Sequence, residues 1–532
     1  MPKPLYNRVV VDESESSASR QIARASGVVM VGFILSSLLG LISQVLITRA
    51  FGTSAEIDAF TAGNRITEII FNLMAGGALA SAFVPTFTSF LTRNQTQRAW
   101  RLASSIASLL FVGLGVVCSL AWITAPWLVQ NILAPGFDAP QQTLTVSLLR
   151  VMLISPVIFS LSGLLMGILN GYQRFFLPAI ASGCYRLGLI IGVLFLSPRM
   201  GIFGLAWGVV LGASLHLVVQ LPGLLSLGGR FFRGFGLGIP EVRQVGRLMA
   251  PRLLGQAVVQ VNFLVSTILA SGMTEGSLAA ISFAFTLMLM PQTIIAKAVG
   301  VASLPTFSAQ VARGEMDALK NTFGKTLRGV VFLSLPASIG LVLLRRPVVA
   351  MLFERGFFTA ESTELVAWAL LWYAIGLVGH SLLEVVVRAF YAMYDTWSPV
   401  IVGVIAMSLN VVFSLVFAAG FSRLGMPPHG GLALANSLAT GLEVAVLLLL
   451  IRKRLGGLGL RRLQRGLIGS AVASVVMAVV LWFWIGITTG ASVWLSGVGG
   501  VFLGVSVYWA IAFAMGVPEA RQLPRMVLSR WL

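Results

Sequence analysis

The sequence predicts an all-α polytopic membrane protein with about fourteen transmembrane helices. Of its 532 residues, 57% are hydrophobic and only 10% are charged, whereas a soluble domain carries about 25% charged residues. The apolar residues form runs of roughly 20 residues, which is the length an α-helix needs to cross a bilayer. Similar segments also recur about 220 positions apart. This combination favours a transporter built from two related halves.

Fourteen apolar stretches are predicted to be the spans. Glycines and prolines fall inside many of them, as is common in transmembrane helices. The spans are expected near residues 26–48, 58–90, 103–124, 142–169, 176–196, 202–226, 248–271, 277–307, 324–344, 364–388, 399–420, 430–451, 466–487 and 492–516.

The basic residues are distributed unevenly between the two sides of the membrane. When the loops are assigned alternately, 27 of the 37 Lys and Arg residues fall on the side that holds both termini. The positive-inside rule therefore predicts a cytoplasmic location for both termini. The net charge of +19 then follows from topology and argues against nucleic-acid binding. Attraction to anionic lipid headgroups is a second expected effect.

Two pairs of segments carry the internal repeat. Residues 84–87 (VPTF) correspond to residues 304–307 (LPTF), and Pro178 corresponds to Pro399. Six spans separate each segment from its copy, so both halves enter the membrane in the same orientation, as a parallel repeat. The predicted divisions are a cytoplasmic tail at 1–25, an N-lobe of spans 1–6 at 26–228, a C-lobe of spans 7–12 at 229–452, and spans 13 and 14 with a cytoplasmic tail at 453–532.

Ionisable side chains inside spans are costly and usually face a cavity or a partner. Arg65 and Glu68 are three residues apart, so they can pair, or the Arg65 guanidinium can meet a diphosphate. Lys297 has no acid three or four residues away, so it lines a cavity, snorkels or pairs with a distant acid. The candidates for a substrate cavity are Arg65, Lys297, Asp58, Glu68, Arg186 and Glu443.

A second group of residues is a candidate for coupling or gating. His380, Glu384 and Arg388 lie four residues apart on one helix face. They form either a proton or ion relay, since His titrates near neutral pH, or a stripe of inter-helix hydrogen bonds. Arg174 and Asp395 occupy equivalent loops of the two halves. They form either a gate between the lobes or simple loop caps.

No catalytic or cofactor-binding pattern is present in the sequence. It contains no Walker A pattern, no HExxH, no cysteine cluster and no plausible hydrolytic triad. Cys118 and Cys184 both lie in apolar runs, which argues against a disulfide framework or a metal site. We therefore expect a protein that is not an enzyme and that binds neither a cofactor nor a structural metal. No cleavable signal peptide is expected, because no early apolar core is followed by a cleavage site.

Several motifs resemble the MurJ/MviN family of lipid II flippases, which belongs to the multidrug/oligosaccharidyl-lipid/polysaccharide exporter superfamily. The resemblance covers nearly all of the chain, including the two extra C-terminal spans. Its motifs are IDAFTAGNRI, GGALASAFVPTF, ILNGYQRFFLPA, FERGFFTAES and FYAMYDTWSPV.

The resemblance implies a V-shaped pair of lobes that encloses a cavity in a bacterial inner (plasma) membrane. The implied substrate is an undecaprenyl-diphosphate-linked peptidoglycan precursor, lipid II, which moves from the inner to the outer leaflet by alternating access. The polyprenyl tail is expected along a groove that involves the last two spans. Membrane lipids and the cell-wall synthesis machinery are further implied partners, and the implied process is cell-wall biogenesis and cell shape.

The family's charged positions are only partly kept. The family's first span reads S-R-x-x-G-x-x-R-D, whereas residues 36–44 read SSLLGLISQ here. The second-span pattern L-R-R-x-F-A-E-G-A is replaced by IFNLMAGGA at 70–78, and only Pro291 remains of R-x-x-E-x-P in the eighth span. The retained positions are Asp58, Gly77, Ala78, Phe83, Pro85, Asn170, Arg174, Pro178, Tyr391, Asp395 and Pro399.

These departures leave other functions open beside lipid II flipping. A paralogue could flip a different lipid-linked oligosaccharide, which would explain the missing arginines. A non-transporting membrane scaffold could keep the fold after losing its site. A cation-coupled small-molecule exporter is favoured by twelve spans and disfavoured by the two extra ones.

Overall fold

The computed structural model describes residues 35–74, 78–232, 234–457 and 460–521. Within these ranges the chain forms helices joined by turns and contains no strand, which confirms the predicted all-α class. The predicted N-terminal tail, the Gly76-Gly77 pair, Arg233 and residues 522–532 lie outside the described residues.

Fifteen main helices follow one another along the described chain. Between the fourth and the fifth of them the chain adds a short helix, Ala125–Leu128, and a π-helical turn, Val129–Leu133. The helices are α1 Leu35–Phe51, α2 Ala55–Met74, α3 Ala78–Thr92, α4 Thr96–Ile123, α5 Ala139–Gly171, α6 Phe176–Met200, α7 Ile202–Leu225, α8 Pro240–Ser271, α9 Ser277–Ala312, α10 Met316–Phe353, α11 Ala360–Ala392, α12 Trp397–Arg423, α13 His429–Arg454, α14 Leu460–Ile487 and α15 Leu495–Ala514.

Among the described residues, eleven helices are long and apolar enough to cross a membrane. Shorter apolar helices lie at Leu35–Phe51, Ala82–Thr92 and Val259–Ser271. Each of the fourteen predicted spans overlaps one or more of these helices. The predicted second span, 58–90, is divided between α2 and α3, and the residues that join them lie outside the described part of the chain.

The described chain divides into two compact units. The first unit contains residues 35–50 and 59–260, and the second contains residues 51–58 and 261–521. The first turn of α2 therefore belongs to the second unit, although most of this helix belongs to the first.

In the first unit, α6 and α7 pack along a seam of glycines. A Cβ atom on Gly188 would lie 2.2 Å from the Cα of Gly212, and one on Gly192 would lie 2.6 Å from the Cα of Gly208. Real Cβ atoms do not approach other atoms this closely, so only glycine fits at these positions. Small residues at helix interfaces let membrane helices approach closely. This seam fixes α6, which carries Arg186, against α7.

The first unit also packs two aromatic rings of α3 on glycines of α5. Phe83 and Phe87 are fully buried, and their rings stack with centroids 5.0 Å apart. A Cβ atom on Gly167 would lie 3.1 Å from the Phe83 ring, and one on Gly171 would lie 2.8 Å from the Phe87 ring. The two glycines therefore leave just enough space on α5 for the two rings of α3, as in other close-packed protein cores.

In the second unit, α14, α15 and the segment after α15 all pack against α10. The Tyr508 hydroxyl donates a hydrogen bond to the Phe332 carbonyl at 2.6 Å. Arg328 forms an ion pair with Glu519, with Nε and Oε1 3.0 Å apart and both side chains largely buried. Met477 and Leu481 of α14 join Phe332 in one buried apolar cluster. The two C-terminal helices therefore pack as an integral part of this unit.

Candidate functional site

Arg65 and Glu68 form an ion pair on α2, as their spacing predicts. Arg65 Nη1 lies 2.8 Å from Glu68 Oε2, and Asn64 Nδ2 donates a hydrogen bond to Glu68 Oε1 at 2.9 Å. The Arg65 side chain is 15% exposed and that of Glu68 is 45% exposed. Both carboxylate oxygens are thus engaged by neighbours on the same helix, and the pair is partly exposed.

A chain of aromatic rings connects this part of α2 to α6. Phe71 lies three residues after Glu68, and its ring centroid is 4.6 Å from that of Phe159 on α5. The Phe159 ring in turn lies 5.0 Å from that of Tyr185. Arg186 follows Tyr185 directly on α6, so the chain of rings leads from Glu68 to Arg186. The four side chains of Arg65, Glu68, Tyr185 and Arg186 are called the Arg186 cluster below.

Arg186 lies directly against the first helix. A Cβ atom on Gly40 of α1 would be 3.5 Å from Arg186 Nε, so the absence of a side chain at Gly40 leaves space for the guanidinium. The guanidinium carbon is 5.7 Å from the Tyr185 ring centroid. Among the described residues no carboxylate lies within ion-pair distance of Arg186. The side chain is half-buried.

Asp58 is buried and closes the start of α9. Its side chain is part of a residue only 2% exposed, and it accepts hydrogen bonds from the backbone N–H groups of Gly276 at 2.8 Å and Ala279 at 2.7 Å. Close by, Glu275 Oε1 accepts a hydrogen bond from the Ala55 N–H at 2.7 Å. Asp58 thus satisfies N–H groups at the start of α9, and Glu275 satisfies one at the start of α2. Acceptance of these N–H bonds is the role of a helix N-cap.

Lys297 lies on α9 in a π-helical turn, Thr293–Lys297. Its side chain is exposed. Within the described part of the second unit it has neither a hydrogen bond nor an ion pair. An ammonium group in an apolar span needs water or an anion. Of the alternatives that the sequence leaves open, pairing with a distant acid is not seen among these residues.

His380 is part of a hydrogen-bond network between α11 and α13. Its Nε2 atom lies 3.0 Å from Asn436 Oδ1 and 3.4 Å from Thr440 Oγ1. In the first unit, His216 on α7 lies in a similar network, with Nδ1 2.6 Å from Ser162 Oγ. Asn436 is 220 positions after His216, which is the offset of the repeat. Each half thus has a histidine network between corresponding helices, α5 and α7 in one half and α11 and α13 in the other.

Glu384 and Arg388, one and two turns after His380, pair with each other rather than with His380. The Arg388 guanidinium also contacts α9, where a Cβ atom on Gly300 would lie 3.1 Å from it. Glycine at this position therefore gives the guanidinium its space. The three predicted relay residues lie on one helix, with the histidine turned to α13 and Arg388 turned to α9.

Glu443 is buried in α13, with an exposed fraction of 7%. Its Oε2 atom has no hydrogen-bond partner among the described residues. A Cβ atom on Gly403 of α12 would lie 3.3 Å from Glu443 Oε1, so glycine at 403 leaves room for the carboxyl. Elsewhere on α12, Asn410 donates a hydrogen bond to Asn262 of α8 at 3.1 Å. Sequence reasoning missed this Asn262–Asn410 contact because neither residue carries a charge; two asparagines in apolar spans were the available signal.

Arg174 and Asp395, the predicted gate or loop caps, are each engaged by nearby residues of their own unit. Arg174 donates a hydrogen bond to Ser226. Asp395 accepts hydrogen bonds from the N–H and hydroxyl of Ser398 and pairs with Arg454. Burial alone would raise the pKa of the Asp395 carboxyl, but the bonds from Ser398 and the Arg454 guanidinium outweigh it and lower the pKa from its ordinary value.

The described residues contain no group of three or more His, Cys, Asp or Glu side chains placed to hold a metal ion. Cys118 and Cys184 are free thiols. The first unit offers a paired Arg65 and an Arg186 without a carboxylate among the described residues, and the second unit offers an exposed Lys297; each of these cations can bind an anion.

The chain is similar in fold to solved structures of membrane transporters. Its likeness to the solved structure described as lipid II flippase MurJ, inward closed conformation, has a TM-score of 0.79 at 22% identity and covers 93% of this chain and 99% of that one. An inward-facing multidrug resistance MATE family transporter of the MOP superfamily matches with a TM-score of 0.68 at 16% identity, over 79% of this chain and 94% of that one. Both similarities establish the fold.

Sequence comparison assigns the family. The lipid II flippase MurJ of Burkholderia cenocepacia is 30% identical over 429 residues, which cover 79% of this chain and 82% of that protein. The probable lipid II flippase MurJ of Rhizobium tropici is 30% identical over 92% of this chain and 93% of its own length. The sequence profile of the family described as lipid II flippase MurJ matches residues 47–501. The chain therefore belongs to the lipid II flippase MurJ family.

Proposed function

We propose that this protein is a lipid II flippase. It carries an undecaprenyl-diphosphate-linked peptidoglycan precursor from the inner to the outer leaflet of a bacterial inner membrane by alternating access. Support comes from membership of the family over residues 47–501 and from relatives named lipid II flippase MurJ that align along most of the chain. The diphosphate is the anionic part of this substrate, so a carrier needs cations at the depth of the spans.

The observation that carries the proposal is the position of Lys297. Its ammonium group is exposed on a membrane-spanning helix and has no carboxylate partner among the described residues. A diphosphate would supply the counter-charge that this group lacks. Arg65 offers a guanidinium fork that suits phosphate oxygens, with Glu68 holding it in place.

The remaining candidates take supporting parts in the same proposal. Asp58 positions the start of α9, the helix that carries Lys297. Glu443 is buried and takes no direct part in binding the substrate. His380, Glu384 and Arg388 couple α11 to its neighbours during transport, and Arg174 and Asp395 hold the loops of the two halves.

The proposed flippase has the membrane topology that the sequence predicts. Residues 26–228 form the N-lobe and residues 229–452 the C-lobe, both termini are cytoplasmic, and the chain moves its substrate without catalysing a reaction or using a cofactor. Membrane lipids surround it, and enzymes of cell-wall synthesis take up the precursor that it delivers.

The test is complementation in bacteria depleted of their own lipid II flippase, with externally accessible lipid II as the readout. The full chain is expected to restore exposure of lipid II and growth. The Lys297→Ala variant is expected to abolish exposure at an unchanged amount of protein in the membrane. Lys325→Ala is the matched control, because Lys325 is also an exposed lysine but lies at the very start of the predicted ninth span, 324–344, next to the cytoplasmic side. Failure of the wild-type chain to restore exposure would reject the proposal.

A second candidate is a flippase for a different lipid-linked oligosaccharide. It is favoured by Ser37, Ser43 and Gln44, which stand where the family's first span has two arginines and an acid. In the same cells, export of a second undecaprenyl-diphosphate-linked glycan without exposure of lipid II would support this candidate over the first.

A further inference from the structure

Within the first unit, the Arg186 cluster carries more positive than negative charge. Arg65 and Arg186 contribute two guanidinium groups and Glu68 contributes one carboxylate. Both oxygens of that carboxylate are already engaged on α2, one by Arg65 at 2.8 Å and the other by Asn64 at 2.9 Å. The cluster therefore has one positive charge that its own acid does not balance.

The excess charge resides on Arg186. No carboxylate lies within ion-pair distance of it among the described residues, and its side chain is half-buried in α6, a helix apolar enough to cross the membrane. A guanidinium that is left without a counter-charge in such a place is costly, unless it meets water or an anionic ligand.

The residue before Arg186 is closely packed, and the guanidinium itself lies beside Gly40. Tyr185 is wedged between Phe159, with ring centroids 5.0 Å apart, and the backbone of α7, where a Cβ atom on Gly212 would come within 2.6 Å of the Tyr185 carbonyl oxygen. On the other side lies Gly40 of α1, which has no side chain. A Cβ atom on Gly40 would be 3.5 Å from Arg186 Nε. The backbone that carries Arg186 is thus confined, and the guanidinium faces a helix surface that has no side chain at Gly40, which leaves room for a ligand beside it.

We propose that Arg186, assisted by Arg65, forms a diphosphate-binding subsite against Gly40 of the first helix, in which α6 supplies the guanidinium that α1 lacks. The subsite takes a lipid-linked diphosphate. The choice of this ligand rests on the proposed function. An arginine fork can donate two parallel hydrogen bonds to phosphate oxygens, whereas a lysine offers a single point charge.

The geometry also indicates which position on α1 can replace Arg186. Ser37 lies three residues before Gly40, on the same face of the helix and about 4.5 Å along its axis. It is also one of the positions at which the family's first-span pattern has arginine. An arginine introduced at Ser37 therefore reaches the same space from the opposite helix.

The experiment measures binding to the purified full-length protein in lipid nanodiscs, with geranylgeranyl diphosphate, geranylgeraniol and inorganic pyrophosphate as probes. Arg186→Gln is expected to weaken binding of geranylgeranyl diphosphate by about tenfold or more and to leave binding of geranylgeraniol unchanged. Arg186→Lys is expected to recover part of the affinity. The double variant Ser37→Arg/Arg186→Gln is expected to recover most of it.

Arg150→Gln is the matched control. Arg150 belongs to the same unit, and its guanidinium lies over the Trp122 ring, 4.6 Å from the centroid, away from the Arg186 cluster. This variant should bind all three probes as the wild-type protein does.

Unchanged affinity of Arg186→Gln for the diphosphate would overturn the proposal. An equal loss of diphosphate and alcohol binding by a correctly folded variant would also overturn it, since the loss would then not depend on the diphosphate. Equal affinity for inorganic pyrophosphate and geranylgeranyl diphosphate would overturn the assignment of a lipid-linked ligand. The proposed function is judged separately, since a wild-type chain that binds the diphosphate but does not expose lipid II in cells would reject flipping and leave the subsite in place.

Discussion

Asp58 accepts a hydrogen bond from the backbone N–H of Gly276 at 2.8 Å, across 218 positions of the chain. The residue lies at the start of α2 and its partner at the start of α9, and these two helices begin at corresponding places in the repeat. Gly276 has a left-handed backbone, with φ of +81°, and a Cβ atom there would lie 2.3 Å from the Thr53 carbonyl oxygen. The contact therefore needs both the carboxylate and the glycine.

Replacement of Asp58 by Ala is expected to destabilise the protein by about 1–3 kcal/mol, because two buried N–H groups lose their acceptor. Thermal unfolding in detergent measures the change. Asp138→Ala is the control, since Asp138 also caps a helix, with a 2.9 Å bond from the Gln141 N–H, but at an exposed site where water can replace it. An effect at Asp58 no larger than at Asp138 would contradict the buried-cap interpretation.

Gly188→Ala is expected to lower stability by about 1–3 kcal/mol, because the added methyl group meets the backbone of α7 and forces the two helices apart. Gly115→Ala on α4 is the matched control, since a Cβ atom at Gly115 would meet nothing within 4 Å, and alanine also favours the helix more than glycine does. The fraction of protein that remains monodisperse after heating gives the comparison. Equal behaviour of the two variants would show that the seam tolerates a side chain.

Glu443→Gln is expected to leave thermal stability unchanged or to increase it, because a buried carboxyl whose Oε2 has no partner contributes little and costs desolvation. Glu384→Gln is the contrast, because Glu384 pairs with Arg388; its loss is expected to cost on the order of 1–3 kcal/mol. Both are measured by thermal unfolding at neutral pH. A loss at Glu443 as large as that at Glu384 would indicate an ionised carboxylate with a partner.

Asp395→Asn is expected to lower stability at neutral pH. The folded protein lowers the pKa of this carboxyl from its ordinary value of 3.8, so the stabilisation is present above pH 3.8 and is lost as the pH falls through the lower, folded value. The difference in unfolding temperature between wild type and variant should stay constant from pH 7 to about pH 5 and shrink below pH 3.8. A difference that is absent at pH 7 would contradict the ion pair with Arg454.

The fold could be read from the sequence because hydropathy and repeat spacing determine it directly. All fourteen predicted spans overlap helices, since each needs only length and apolar composition. The pairing of Arg65 and Glu68 was also predictable, because two residues three positions apart on a helix lie on the same face.

Contacts between distant segments could not be predicted in this way. The sequence gives no distance between Asp58 and Gly276 or between Gly40 and Arg186, since both depend on how helices pack. Glu443 was a cavity candidate because it is charged within a span, but its burial is decided by Gly403 on a neighbouring helix. Tyr185 and Asn410 gave little signal, because they have no charge at neutral pH and their partners lie on other helices.

The Asp58 cap also sets an order of events during synthesis. A bacterial ribosome adds roughly 5–20 residues per second, so α9 emerges roughly 10–40 s after Asp58 has entered the membrane. During that interval the carboxylate lacks its native donors, the N–H groups of Gly276 and Ala279. Insertion of the second half of the chain then removes this exposed acid. Completion of the nascent protein is thus coupled to the burial of a charge that was made half a chain earlier.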